Sequence, residues 1–242
     1  MTDHIGIMSL AGFLAGFINS LTGFGSAIMI MLFLPGIFGI TSAASLTSSV
    51  CIGLNLVTFW QYRKAVNWRI SLICSFFYAI VSVTAINMAA DLDLSLLSAL
   101  FGGFLVLLSV YFLFFAGKFT IKATVPALIL TGLFSGIGGG LFSIGGPLLA
   151  VVCLNATQSR EEYVGTIQSI FFLTAIPGMT TRILKGLYTA DMIPLTLIGF
   201  AVALIGKYIG KLTAQRMDGE LLKKLIYVYI GFAGIVNIIK NI

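Results

Sequence analysis

Two apolar runs, at about 5–34 and 123–156, are too long to be single membrane helices. At 1.5 Å per residue, about 30 residues make a helix of roughly 45 Å, against a hydrocarbon core of about 30 Å. Each run is broken by glycine in its middle, by "LTGFGSAI" (Leu21–Ile28) in the first and "GIGGGLFSIGGP" (Gly136–Pro147) in the second. Glycine weakens a helix by about 1 kcal/mol relative to alanine, and proline by about 3. Lipid supplies no water to the backbone groups that a broken helix frees. A chain that breaks two membrane helices in this way must satisfy those groups inside the protein.

Composition agrees that these runs lie in lipid. The chain is 59% hydrophobic and 9% charged, where soluble domains carry about 25% charged residues. It is expected to be an integral membrane protein. The opening, with Asp3 and His4, lacks the basic start of a cleaved signal peptide. The net charge of +6 comes from short loops between apolar spans. They form neither a basic helix face nor an aromatic-basic pattern, so no nucleic-acid partner is expected. Cys51, Cys74 and Cys153 form no CxxC and fall in apolar spans, so no metal site or cofactor is expected. "GFGS" imitates a nucleophile turn, but the lone histidine, His4, stands far from it. The chain is not expected to be an enzyme.

Further apolar runs fall at 37–60, 70–90, 94–115, 163–184, 192–213 and 221–239. The two long runs resemble each other: "LTGFGSAI" aligns with "FSGIGGGL" (Phe134–Leu141) at an offset of 113. The chain therefore reads as one transmembrane domain, 1–242, duplicated internally, with repeats at about 5–115 and 121–239. Transporters are often built this way. If each long run crosses once, the basic residues divide 8 against 6 between the two faces. If each is a re-entrant hairpin, the halves are inverted and the division becomes 11 against 3, with Arg182, Lys185 and Lys240 on the poor face. The positive-inside rule favours the hairpins. Both termini then face away from the cytoplasm, across a plasma (inner) membrane. The expected fold is an all-α integral membrane protein of two inverted repeats, each a re-entrant or broken helical hairpin plus three transmembrane helices.

In the second hairpin the first arm is expected from about Ile121 to Ser135, with a glycine-rich apex after it. Pro147 suits the first position of a returning helix, which ends near Ala156. A helix starting there aims unpaired N–H groups and about half a positive charge at the apex. Glycine lets a ligand approach the backbone. This makes an anion site without a buried lysine or arginine. The candidate binding residues are Thr22, Gly23, Phe24, Gly25 and Ser26 in the first break, and Ser135, Gly136, Gly138, Gly139, Gly140 and Ser143 in the second. Thr47, Ser48, Thr166 and Gln168, on the helices that follow, complete the set. Gly12, Gly16, Gly206 and Gly210 fit small-xxx-small packing instead. Lys207 is expected to snorkel to the interface, and Ser159 to Glu162 to form a helix N-cap box. All eight carboxylates fall in loops or at span ends, so no intramembrane proton relay is expected.

The paired motifs "GFGSAIMIM" and "GIGGGLFSI", each opening a four-segment half, resemble the TauE/SafE family of membrane permeases. The resemblance covers nearly the whole chain. Ser26 and Ala27 replace two of the family's glycines, Met31 stands where a proline is common, and Pro147 comes two residues late. The resemblance implies transport of sulfite or a small organosulfonate. The expected partners are a small anionic substrate and the lipid bilayer; a homo-oligomer is neither required nor excluded.

Overall fold

In a computed structural model, residues 2–115, 123–213 and 231–239 are described, and all the regular structure among them is helical. The helices are α1 (Thr2–Thr22), α2 (Ser26–Phe33), α3 (Pro35–Phe38), α4 (Ile40–Tyr62), α5 (Trp68–Asp91), α6 (Leu94–Val110), α7 (Val125–Phe142), α8 (Gly146–Ala156), α9 (Arg160–Leu184), α10 (Ile193–Thr213) and α11 (231–239). Seven segments among the described residues are long and apolar enough to cross a membrane. Large apolar side chains such as Phe76, Ile80, Leu130, Phe134 and Leu197 stand exposed along them, as lipid-facing residues do. The chain is an integral membrane protein. Most of the expected eighth span, 221–239, and Ile121 lie outside the described residues.

Local chemistry sets the helix ends. Asn67 caps α5 by accepting from the Ile70 N–H at 3.3 Å, and Asp93 caps α6 through the Ser95 and Leu96 N–H groups. Ser159 caps α9 as expected, accepting from the Glu162 N–H at 3.1 Å, while the Glu162 carboxylate reaches one residue past the cap to accept from the Gln158 N–H. Pro126 and Pro147 sit in the first turns of α7 and α8, where a missing N–H costs nothing.

The long runs break as expected, though not where the glycines are densest. α1 stops at Thr22 and α2 restarts at Ser26, with Gly23 at φ 78° and Gly25 at φ 93° between them. α7 runs straight through Gly136, Gly138, Gly139 and Gly140 and stops only at Ser143, at φ 60°. The first arm is therefore longer than the sequence suggested. The reason is packing: a Cβ at Gly132, Gly136 or Gly140 would lie 2.6–2.8 Å from α5 backbone oxygens or side chains. Close approach of two backbones offsets the glycine cost in the helix. α1 meets α10 in the same way. A Cβ at Gly12 would lie 2.6 Å from the Gly199 oxygen, one at Gly16 1.8 Å from that of Ala203, and one at Gly206 2.1 Å from that of Phe13.

These contacts fix helix directions. α1 and α10 run parallel, since Gly12 meets Gly199 and Ser20 meets Gly210. α7 and α5 run parallel, with Gly132 against Cys74 and Gly140 against Ser82. α5 and α9 are parallel too, joined by the Ser71–Ser169 hydroxyl pair at 2.7 Å at one end and by Ser82 beside Gly178 at the other. α4 runs antiparallel to α9: Tyr62 meets Gly165, and Phe59 stacks on Phe172 at 5.6 Å. α11 runs antiparallel to α6, with Gly231 at Ser109 and Gly234 at Leu105.

Matching contacts recur at a fixed spacing. Gly23 and Ser143, the positive-φ residues that end α1 and α7, are 120 residues apart (143 − 23). Gly12 on the Gly199 carbonyl matches Gly132 on the Cys74 carbonyl, with spacings of 120 (132 − 12) and 125 (199 − 74). "LTGFGSAI" therefore corresponds in the register of its break to "LFSIGGPL" (Leu141–Leu148), not to "FSGIGGGL". The offset of 113 matched glycines that break a helix to glycines that pack one.

Candidate anion site between the two breaks

The two breaks abut. A Cβ at Gly146 would lie 3.2 Å from the Phe24 ring and 3.3 Å from Phe171. Beside this contact lies a cavity of about 80 Å³, room for a handful of water-sized groups. One stripe of each neighbouring helix lines it: Ser48, Cys51 and Asn55 of α4, Tyr78, Ser82 and Ile86 of α5, and Phe171, Thr174, Gly178 and Arg182 of α9. The starts of α2 and α8 close it, through Gly25, Ser26 and Gly146. Each of these helix starts has N–H groups without an intrahelical acceptor.

Arg182 is the residue that sequence reasoning missed. It sits in the last turn of α9, only 2% exposed. From one terminal nitrogen it donates to the Gly140 carbonyl at 2.7 Å and to the Ser143 hydroxyl at 3.3 Å. The site was expected to lack a buried basic side chain; it has one. Arginine carries five N–H donors in a planar fork and stays charged. Its acceptors here are neutral oxygens, so the rest of the fork is left for the cavity. The available signal was periodic: Thr174, Gly178 and Arg182 recur at helical spacing as a small and polar stripe in an apolar span. An intramembrane ionisable group ordinarily faces the bundle interior.

Of the residues singled out from sequence, Phe24, Gly25, Ser26, Ser48, Gly139 and Ser143 line the cavity. Ser143 is its most connected wall: its hydroxyl pairs with that of Ser48 at 2.7 Å and donates to the Ala44 carbonyl at 2.7 Å. The others stand behind the wall. The Thr22 hydroxyl bridges the Ile18 and Phe24 carbonyls and accepts from the Phe24 N–H. Gln168 donates to the Gly23 carbonyl at 2.7 Å, the place equivalent, at spacings of 120 (168 − 48 and 143 − 23), to the contact of Ser48 with Ser143. Thr47 bonds back to the Ala43 carbonyl, and Thr166 accepts from the Asn67 N–H. Ser135 is buried in α7. Gly136 and Gly140 face α5, and Gly138 faces Phe104 and the Ile144 carbonyl. Lys207 does not reach for the interface; its ammonium donates to the hydroxyl of buried Thr58 on α4.

Among the described residues no carboxylate lines the cavity, and no group of His, Cys, Asp and Glu is placed to hold a metal ion. What converges is positive: two helix starts and one guanidinium. Such an arrangement is complementary in charge to a small anion, and among the described residues no carboxylate or imidazole lines it to act as a general base.

Comparison with known proteins points the same way. The family described as sulfite exporter TauE/SafE matches residues 8–236. A probable membrane transporter protein of Methanocaldococcus jannaschii is 25% identical over 259 residues, covering 95% of this chain and 93% of that protein. No solved structure matches. A broken-helix membrane bundle with a basic interior cavity, matched over nearly its whole length, belongs to the TauE/SafE family of membrane transporters and is not an enzyme.

Proposed function

We propose that this protein carries sulfite, or another small sulfur-containing oxyanion such as an organosulfonate, out of the cell across the plasma membrane. The observation that carries the reading is Arg182 buried in the cavity between two helix starts. A guanidinium fork matches the paired oxygens of an oxyanion. A negative-inside potential favours expelling an anion by about 2.3 kcal/mol per charge per 100 mV. Export then needs no coupling ion, in keeping with a cavity wall that has no carboxylate among the described residues.

The same proposal includes two inverted repeats, at about 5–115 and 121–239, each opened by a hairpin that returns to the face it entered from. The helix directions support it. α7 and α9 run parallel with α8 between them, and α1 and α4 both run opposite to α5. The termini then lie outside, and the cytoplasmic face carries Arg63, Lys64, Arg69 and Arg160. Arg182, taken from the poor face into the interior, sharpens the charge bias further.

The test uses proteoliposomes loaded with sulfite, an imposed potential and no pH gradient. Efflux that follows the potential is expected. No potential-driven efflux, together with transport restored by a proton or sodium gradient, would overturn uncoupled export.

A further inference from the structure

The spacings that relate the two halves give each cavity residue a counterpart. Gly178 corresponds to Thr58 (178 − 120) and Ser82 to Lys207 (82 + 125). At one contact between the halves Gly178 and Ser82 stand side by side, with a Cβ at Gly178 3.8 Å from the Ser82 hydroxyl, and both line the cavity. At the equivalent contact the counterparts are also side by side, but Lys207 donates directly to Thr58. Around them Phe59 stacks on Phe172, and Phe200 presses on Gly53 so closely that a Cβ there would lie 2.5 Å away. The two equivalent places are thus one cavity and one filled contact, and the filled one contains a cation whose acceptor is neutral.

We propose that Lys207 is a second anion-binding group, used when the carrier faces the cytoplasm. The inference rests on the transport reading above and deepens it. If the halves exchange conformations, the void between α4, α5 and α9 closes and one between α4, α9 and α10 opens. Lys207 then leaves Thr58 and meets the anion from the cytoplasmic side, as Arg182 meets it in the present conformation. Lys211, one turn along α10, adds a second positive charge at that mouth. Alternation between equivalent arrangements of two repeats is a general transporter mechanism. What is specific here is the cation that this chain places at the second position.

Two measurements test it. In proteoliposomes carrying the whole chain, the half-saturating concentration of sulfite is measured from each face. In Lys207→Met it rises at least about tenfold on the cytoplasmic face alone, the size expected for losing a charge-assisted bond, and Lys207→Arg restores it. An unchanged value, or an equal rise on both faces, overturns the proposal. The second measurement needs no substrate and so stands if sulfite is not carried. Thr58→Cys, in a background with Cys51, Cys74 and Cys153 changed to serine, is treated from the cytoplasmic face with a sulfonated and a trimethylammonium methanethiosulfonate. The ratio of anionic to cationic reaction rates falls several-fold when Lys207→Met is added. No reaction at Thr58→Cys, or an unchanged ratio, overturns the proposal. Failure of wild-type sulfite flux, with the ratio still falling on Lys207→Met, instead overturns the substrate assignment.

Discussion

Arg182 bonds the Gly140 carbonyl and the Ser143 hydroxyl, so it ties the end of α7 to the end of α9 while lining the cavity. Arg182→Gln keeps a donor for those oxygens and removes the charge. Sulfite flux per incorporated protein is expected to fall roughly 10- to 100-fold, matching the 1.5–3 kcal/mol of a hydrogen bond to a charged group. Arg182→Lys should recover part of it, as a point charge without the fork. Flux at the wild-type rate in Arg182→Gln would place the anion elsewhere. Sequence alone hid this residue because a cation within a turn of a span's end can bend outward to water as readily as inward. Only the neighbours decide, and here the small residues Ser82, Ser143 and Gly178 leave space inside.

The second hairpin shows why the glycine-rich stretch needs its glycines in different ways. Gly139 and Gly145 lie under the ring of Tyr78, where a Cβ would come within 1.8 Å and 2.4 Å of its hydroxyl oxygen. Gly139→Ala should therefore cost about 1–3 kcal/mol through overpacking, measured as a lower melting temperature in detergent. Adding Tyr78→Ala should cost less than the two changes summed, because the second removes what the first strikes. Strict additivity would show that the ring yields freely. Much of this element was legible beforehand: the over-long runs, the breaks, Pro147 at a helix start and the Ser159 cap all carry local chemistry. The position of the second break was not. Glycine looks the same in sequence whether it releases a backbone from helix or lets a helix press on its neighbour. Ser143, the residue that adopts the left-handed conformation, is not one that composition would nominate.

At the scale of the whole molecule, the helix directions make a prediction about sidedness. Single cysteines at Lys64, Thr124 and Arg160 should react with an impermeant reagent from the cytoplasmic face, and those at Gly36, Asp93 and Gly186 from the opposite face. Labelling of Thr124 and Arg160 from opposite faces would remove the re-entrant hairpin and with it the inverted halves. The proposed duplication would account for α1 and α10, and α7 and α5, packing through the same kind of glycine stripe. The halves have nonetheless drifted apart where they matter. Tyr78 facing Gly139 at one contact between the halves corresponds to Ala203 and Asn19 at the equivalent contact, and Ser82 with Gly178 corresponds to Lys207 with Thr58. Two identical halves would leave the inward- and outward-facing forms equal in free energy. On the proposed alternation, unequal halves would give the carrier a resting preference, and only the populations of its two forms would respond. The final anion distribution is still set by voltage and concentration. The speed of approach to it is not symmetric: a substrate arriving at the mouth already presented loads at once, and one arriving at the other must wait for the protein to turn.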